Sequence, residues 1–134
     1  MKNGNSTASK HVLDASAVIA WVDRESGYEG IAPFMSDAAI CSVNLAEVIS
    51  KMLTRGLSAE DARQHLDLLQ LEIIDFDEIL AYETGGLCPT TRHVGLSLGD
   101  RACLATAQSL GVPAVTTDRS WASLGFSIPI HVIR

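Results

Sequence analysis

The chain is poor in the residues that cross-link a fold, with only three cysteines, Cys41, Cys88 and Cys103, widely spaced and without a Cys-x-x-Cys pair. That excludes a disulfide framework and a cysteine-held zinc site, and leaves all three as small reduced core residues. It also lacks an apolar run long enough to cross a bilayer, since the longest, from Val12 to Val22, is broken by Asp14. The same break, with no positively charged stretch leading into a clean apolar core, speaks against a secretory signal, so a cytoplasmic protein with no membrane partner is expected. The histidines His11, His65, His93 and His131 share no spacing that repeats as a metal pair. Positive charge is scarce as well: 10 Lys and Arg face 16 Asp and Glu, for a net charge of −6. Polyanion binders usually carry a basic face, which counts against a nucleic-acid partner. The objection weakens if a cation neutralises four of the acids, because the remainder is then close to neutral and seven arginines are free to contact an anionic substrate.

What the chain does have is apolar material. With 134 residues, 47% of them hydrophobic and 19% charged, it can fill the core of one domain. Residues 1–10 form a polar leader with no pattern that buries anything, expected to be disordered, ahead of a domain spanning 11–134. Short apolar runs at 11–13, 39–43, 71–76, 114–116 and 130–133 read as strands, each separated from the next by a segment of helical period. That alternation predicts an α/β fold with a mostly parallel sheet covered on both faces. Ser58, with Asp61 three residues on, starts a helix in the manner of a capping box, and Gly56 and Gly111 read as helix stops. The stretch 85–96, with Gly85-Gly86, Pro89 and two threonines, predicts a broken helix and then a loop.

Four carboxylates stand out. Asp14 and Asp118 close apolar strands, where α/β sheets bind ligands. Each also precedes a helical stretch and reads equally as an N-cap. Asp100 shares a helix side with Cys103, Leu104 and Ala107. A carboxylate on an apolar side costs several kcal/mol if buried unpaired, so a cation, backbone donors or a cleft must compensate it, and function ranks ahead of capping there. Glu47 lies opposite the centre of the stripe Leu45, Val48, Ile49, Met52 and Leu53, and periodicity alone makes it a solvated surface residue.

The segments Val12-Leu13-Asp14-Ala15-Ser16-Ala17, Asn44-Leu45-Ala46-Glu47-Val48, 96–105 (Leu-Ser-Leu-Gly-Asp-Arg-Ala-Cys-Leu-Ala) and Thr116-Thr117-Asp118-Arg119-Ser120-Trp121 resemble the four motifs of PIN-domain ribonucleases, most of all the VapC-type toxins. The resemblance implies a three-layer α/β/α PIN-like domain in which Asp14, Glu47, Asp100 and Asp118 form an acidic metal site, with the hydroxyls of Ser16 and Thr117 beside it. It implies Asp14 and Asp100 on a first Mg²⁺ or Mn²⁺, Asp118 as ligand or water-positioning group, and Glu47 on a second ion or in an outer role. It further implies an RNA substrate, a cognate VapB-type antitoxin and a homodimer. Arg92, Arg101 and Arg119 lie near the motifs as phosphate contacts or as structural ion-pair residues.

Three other readings compete. Gly95-Leu96-Ser97-Leu98-Gly99 matches the Gly-x-Ser-x-Gly nucleophile elbow, and Asp118 and His131 follow in the order of a serine esterase triad, although 90–94 make a poor strand for an elbow. A receiver-type signalling module needs a lysine near its last strands, and Lys2, Lys10 and Lys51 all come too early. A catalytically silent PIN-like scaffold would keep the fold and bind a partner without turnover.

Overall fold

The computed structural model describes residues 9–133. Each apolar run read as a strand forms one: β1 (His11–Leu13), β2 (Ala38–Cys41), β3 (Glu72–Ile74), β4 (Ala114–Thr116) and β5 (Ile130–Val132). They pair in the order β3-β2-β1-β4-β5, and every pairing is parallel. Helices α1 (Ala15–Asp23), α2 (Ala32–Met35), α3 (Ser42–Thr54), α4 (Ala59–Leu69), α5 (Glu78–Gly86), α6 (Cys88–Thr91) and α7 (Leu98–Leu110) connect them.

Successive side chains of a strand point to opposite faces, and the core splits accordingly. Leu13, Ile40 and Val115 face Val18 of α1, Val48 and Met52 of α3 and Leu66 of α4. Val12, Ala39 and Ala114 face Cys103, Leu104 and Ala107 of α7, together with Trp121. Each aliphatic side chain buried this way contributes about 1.5–3 kcal/mol. The result is the expected three-layer α/β/α arrangement, with α5 packed behind α7.

The helix boundaries follow local chemistry. Ser58 Oγ accepts from the Asp61 N–H at 3.1 Å at the start of α4, and Asp77 Oδ1 accepts from the Leu80 N–H at 2.9 Å at the start of α5. Gly111 ends α7 with φ 68°, in the left-handed region that a glycine adopts without Cβ strain. The segment 85–96 breaks as expected, into the end of α5, the single turn of α6 and a turn before Ser97. Two expectations shift. The run 39–43 ends as a strand at Cys41, because Ser42 and Val43 already belong to α3 and Ser42 Oγ accepts from the Phe76 N–H at 3.0 Å, locking that junction to the end of β3. Of the leader expected over 1–10, residues 1–8 lie outside the described residues, while Ser9 is buried and donates to Glu72 Oε1 at 2.6 Å. The Lys10 N–H bonds to the Asp37 carbonyl at 2.7 Å.

The chain winds outward from β1 to β3 on one side, then returns to place β4 and β5 on the other. The order therefore reverses between β1 and β4, where a parallel sheet opens a crevice beyond its strand ends. β1 ends at Leu13 and β4 at Thr116, one residue before Asp14 and two before Asp118.

Candidate active site

Asp14 is the deepest of the four acids, 4% exposed. It occupies the N-cap position of α1, yet its side chain makes no capping bond, which removes the alternative that periodicity left open. Instead Asp14 Oδ2 accepts from Ser16 Oγ at 2.8 Å and Thr116 Oγ1 at 3.0 Å. Burial, reinforced by the charges of Asp100 and Glu47, pushes its carboxyl up to about 6, against the lowering pull of the Ser16 and Thr116 hydroxyls. Thr116, which was not singled out, thus adds a hydroxyl beside Asp14, and Thr117, the hydroxyl expected there, gives its N–H to Ser16 Oγ at 3.1 Å. Strand register carries the signal for Thr116: β1 and β4 pair Val12 with Ala114 and Leu13 with Val115, and one further step sets Asp14 beside Thr116.

Asp100 and Asp118 both make the capping bonds considered for them. Asp100 closes a capping box: its Oδ2 accepts from the Ser97 N–H at 3.0 Å while its own N–H bonds to Ser97 Oγ at 3.1 Å. Asp118 caps the 3₁₀ turn Arg119–Ser123 through Oδ1, which accepts from the Ser120 N–H at 2.9 Å and Ser120 Oγ at 2.8 Å. Glu47 is exposed, as its helical phase predicts, but it is not isolated. Asn44 Nδ2 donates to Glu47 Oε1 at 2.9 Å, and the carboxylate lies over the bare Cα of Gly99, the residue before Asp100.

These four acids, with Ser16 and Lys51, line one cleft of about 310 Å³ at the strand reversal. Lys51 was not singled out by its sequence; its position four residues after Glu47, one turn along the same face of α3, was the available cue. The cleft suits a hard cation. Its donors are carboxylate and hydroxyl oxygens, and the one thiol close enough to feel the acids, Cys103, is fully buried and held protonated by that burial. Although the acids share the cleft, among the described residues no three of them close on a single point as a ready-made cage.

Arg92, Arg101 and Arg119 do not line this cleft. Arg92 and Arg119 are exposed, and Arg101 reaches the Thr84 carbonyl of α5 at 3.4 Å. The esterase triad does not form either: turns rather than a strand precede Ser97, its hydroxyl caps α7, and the ring of His131 on β5 packs 5.0 Å from that of Phe34 on α2.

The PIN domain family model matches residues 11–127. A search of curated proteins finds no match. Among solved structures, the chain is similar to the sarcin–ricin loop cleaving toxin VapC20 of Mycobacterium tuberculosis, with a TM-score of 0.72 at 15% identity over 87% of this chain and 95% of that one. The DNA-bound VapBC of Salmonella typhimurium gives 0.69 at 22% identity over 92% and 97%. VapBC-5, of the VapBC family of toxin–antitoxin systems in Mycobacterium tuberculosis, gives 0.61 at 24% over 96% and 99%. At these identities the likeness establishes a shared fold.

Proposed function

The chain belongs to the PIN-domain family, and from that premise we propose that it is a metal-dependent endoribonuclease, the toxin of a toxin–antitoxin pair, with its nuclease domain spanning 11–134. The observation that carries this reading is the convergence of Asp14, Glu47, Asp100 and Asp118 on one cleft at the strand reversal. Two unit charges about 4 Å apart repel by about 4 kcal/mol at an effective dielectric near 20, so such a cluster is kept only where a cation or protons offset it.

Asp14 and Asp100 are the residues assigned to hold a Mg²⁺ or Mn²⁺ ion, with Asp118 as a further ligand or water-positioning group and Glu47 in an outer or second-ion role. Bound there, the ion supplies Lewis acidity, acidifying a water and offsetting charge on the scissile phosphodiester. The protein's own part is positional. Ser16 and Thr116 fix the Asp14 carboxylate. Ser97 and Ser120 fix the carboxylates of Asp100 and Asp118, and Lys51, the one cation lining the cleft among the described residues, is assigned to a substrate phosphate. A VapB-type antitoxin, supported by neighbours that are VapBC complexes, belongs to the same reading, as do a homodimer and a cytoplasmic setting.

Titration of Mg²⁺ and Mn²⁺ against a panel of structured RNAs tests it. Cleavage should require the ion and fall by about 100–1000-fold in Asp100→Asn, the scale of losing one preorganised charge-stabilising group. Undiminished cleavage in excess EDTA would refute the metal mechanism, and partner binding without turnover in any condition would favour the silent scaffold.

A further inference from the structure

Asn44 is a costly residue to keep. It lies on the first turn of α3 and is wholly buried, and its Oδ1 has no hydrogen-bond partner among the described residues. A buried acceptor left that way costs about 1–3 kcal/mol. Its amide nitrogen shows what offsets the cost. Nδ2 donates both to Glu47 Oε1 at 2.9 Å and to the Gly99 carbonyl at 2.9 Å, joining an acid on α3 to the first turn of α7.

Gly99 completes the junction from the other side. A Cβ built there would meet Glu47 Oε2 at 2.5 Å, Oε1 at 2.6 Å and Cδ at 2.7 Å. Real Cβ atoms do not approach carboxylate atoms so closely, so an alanine at 99 forces the Glu47 carboxylate away. The glycine sits in the first turn of α7, where it is a poorer helix former than alanine, so it too is retained against local preference. Nothing in its backbone requires it, because its φ is not in the left-handed region.

We infer that Asn44 and Gly99 are paired positioning residues: Asn44 tethers Glu47 and Gly99 vacates the space its carboxylate occupies, so that α3 and α7 hold Glu47 beside Asp100 at the cation-binding cleft. Glu47, an exposed helical glutamate by its own periodicity, is thereby confined to the cleft. The inference rests on the reading that the cleft binds a divalent ion, and it adds which residues outside the acid set determine how well.

Mn²⁺ binding to the purified full chain, followed by calorimetry and by the cation-induced rise in melting temperature, separates the two. Gly99→Ala should weaken Mn²⁺ by about 10–100-fold, the range found when partners of metal-holding groups are removed. In a Glu47→Ala background the same change should alter affinity by less than about twofold, because its target is gone. If the metal-free melting temperature shows that Gly99→Ala has not folded, Asn44→Ser carries the same cycle, being too short to reach both acceptors. Equal losses with and without Glu47 would make Gly99 a packing residue and overturn the inference. Binding weakened by Glu47→Ala but not by Gly99→Ala would overturn it while leaving the ion site intact, whereas no Mn²⁺ binding by the unaltered chain would overturn both.

Discussion

Two cavities draw on different faces of α3, and they differ in kind. Glu47 and Lys51, one turn apart, look into the acidic cleft of about 310 Å³. Leu45 and Ile49, also one turn apart, line a groove of about 420 Å³ completed by Leu66, Leu71 and Ile73, with Arg63, Asp67 and Gln70 at its rim. The larger cavity holds no convergent acids, and the smaller holds all four. Size therefore does not set the cleft apart; what marks it is charge gathered at a loss in stability and held by hydrogen bonds. A groove of aliphatic side chains is a continuation of the core, whereas clustered carboxylates oppose folding and persist for another reason.

The largest effect expected from breaking this contrast comes from the buried acid. Asp14→Asn preserves shape and can still accept from Ser16 and Thr116, yet removes the charge; RNA cleavage should fall by about 100–1000-fold in single-turnover assays. The same variant should make the metal-free protein more resistant to urea at pH 7, since a carboxyl that burial holds near 6 is there replaced by a neutral amide. Activity and stability moving in opposite directions is the signature of a functional acid. A variant that cleaves as the parent does would move the reaction off Asp14.

The apolar face should behave in the opposite way. Leu66 is 8% exposed beneath the groove, and Leu66→Ala should cost about 2–4 kcal/mol in denaturant melts. Mn²⁺ affinity should stay unchanged in the protein that remains folded, because no atom of Leu66 lines the acidic cleft. A matching loss of ion binding would show that the two sides of α3 are mechanically coupled.

How much of this contrast was legible beforehand differs by residue. The alternation of short apolar runs with helical periods contains the fold, and Asp14 and Asp118 could be placed because strand ends at a reversal are where parallel sheets bind ligands. Periodicity also describes Glu47 correctly as exposed, but it relates a residue only to the core beneath its own helix. That α7 brings Gly99 under the Glu47 carboxylate is a contact between elements 52 positions apart, which no local pattern encodes. Thr116 was obscured for a simpler reason: setting it beside Asp14 needs the register of β1 against β4. The early end of β2 was hidden because α3 follows it without a loop.

Proton linkage sharpens the contrast with a smaller effect. Asp14 is raised from an ordinary value of 3.8 to about 6, so the folded state favours the protonated form. Its contribution to stability is complete below about pH 3.8 and is lost as pH rises through about 6, amounting to about 3 kcal/mol for a shift of this size. A divalent ion reverses the sign by favouring the carboxylate. The rise in melting temperature produced by Mg²⁺ or Mn²⁺ should thus be greater at pH 7 than at pH 5, and a pH-independent rise would place the ion away from Asp14.

The smallest effect tests which part of Asp100 belongs to the fold and which to the cleft. Ser97→Ala removes the hydroxyl that accepts from the Asp100 N–H, but the Ser97 N–H still holds the Asp100 carboxylate at 3.0 Å. Loss of an N-cap hydroxyl costs about 1 kcal/mol, so melts should shift by that amount. Cleavage should remain within a few-fold of the parent, because the carboxylate keeps its backbone donor. The esterase reading makes the reverse demand, since there Ser97 is the nucleophile and its removal would abolish hydrolysis with little change in stability. A modest stability loss with RNA cleavage retained therefore assigns the serine to the helix cap and Asp100 to the cleft.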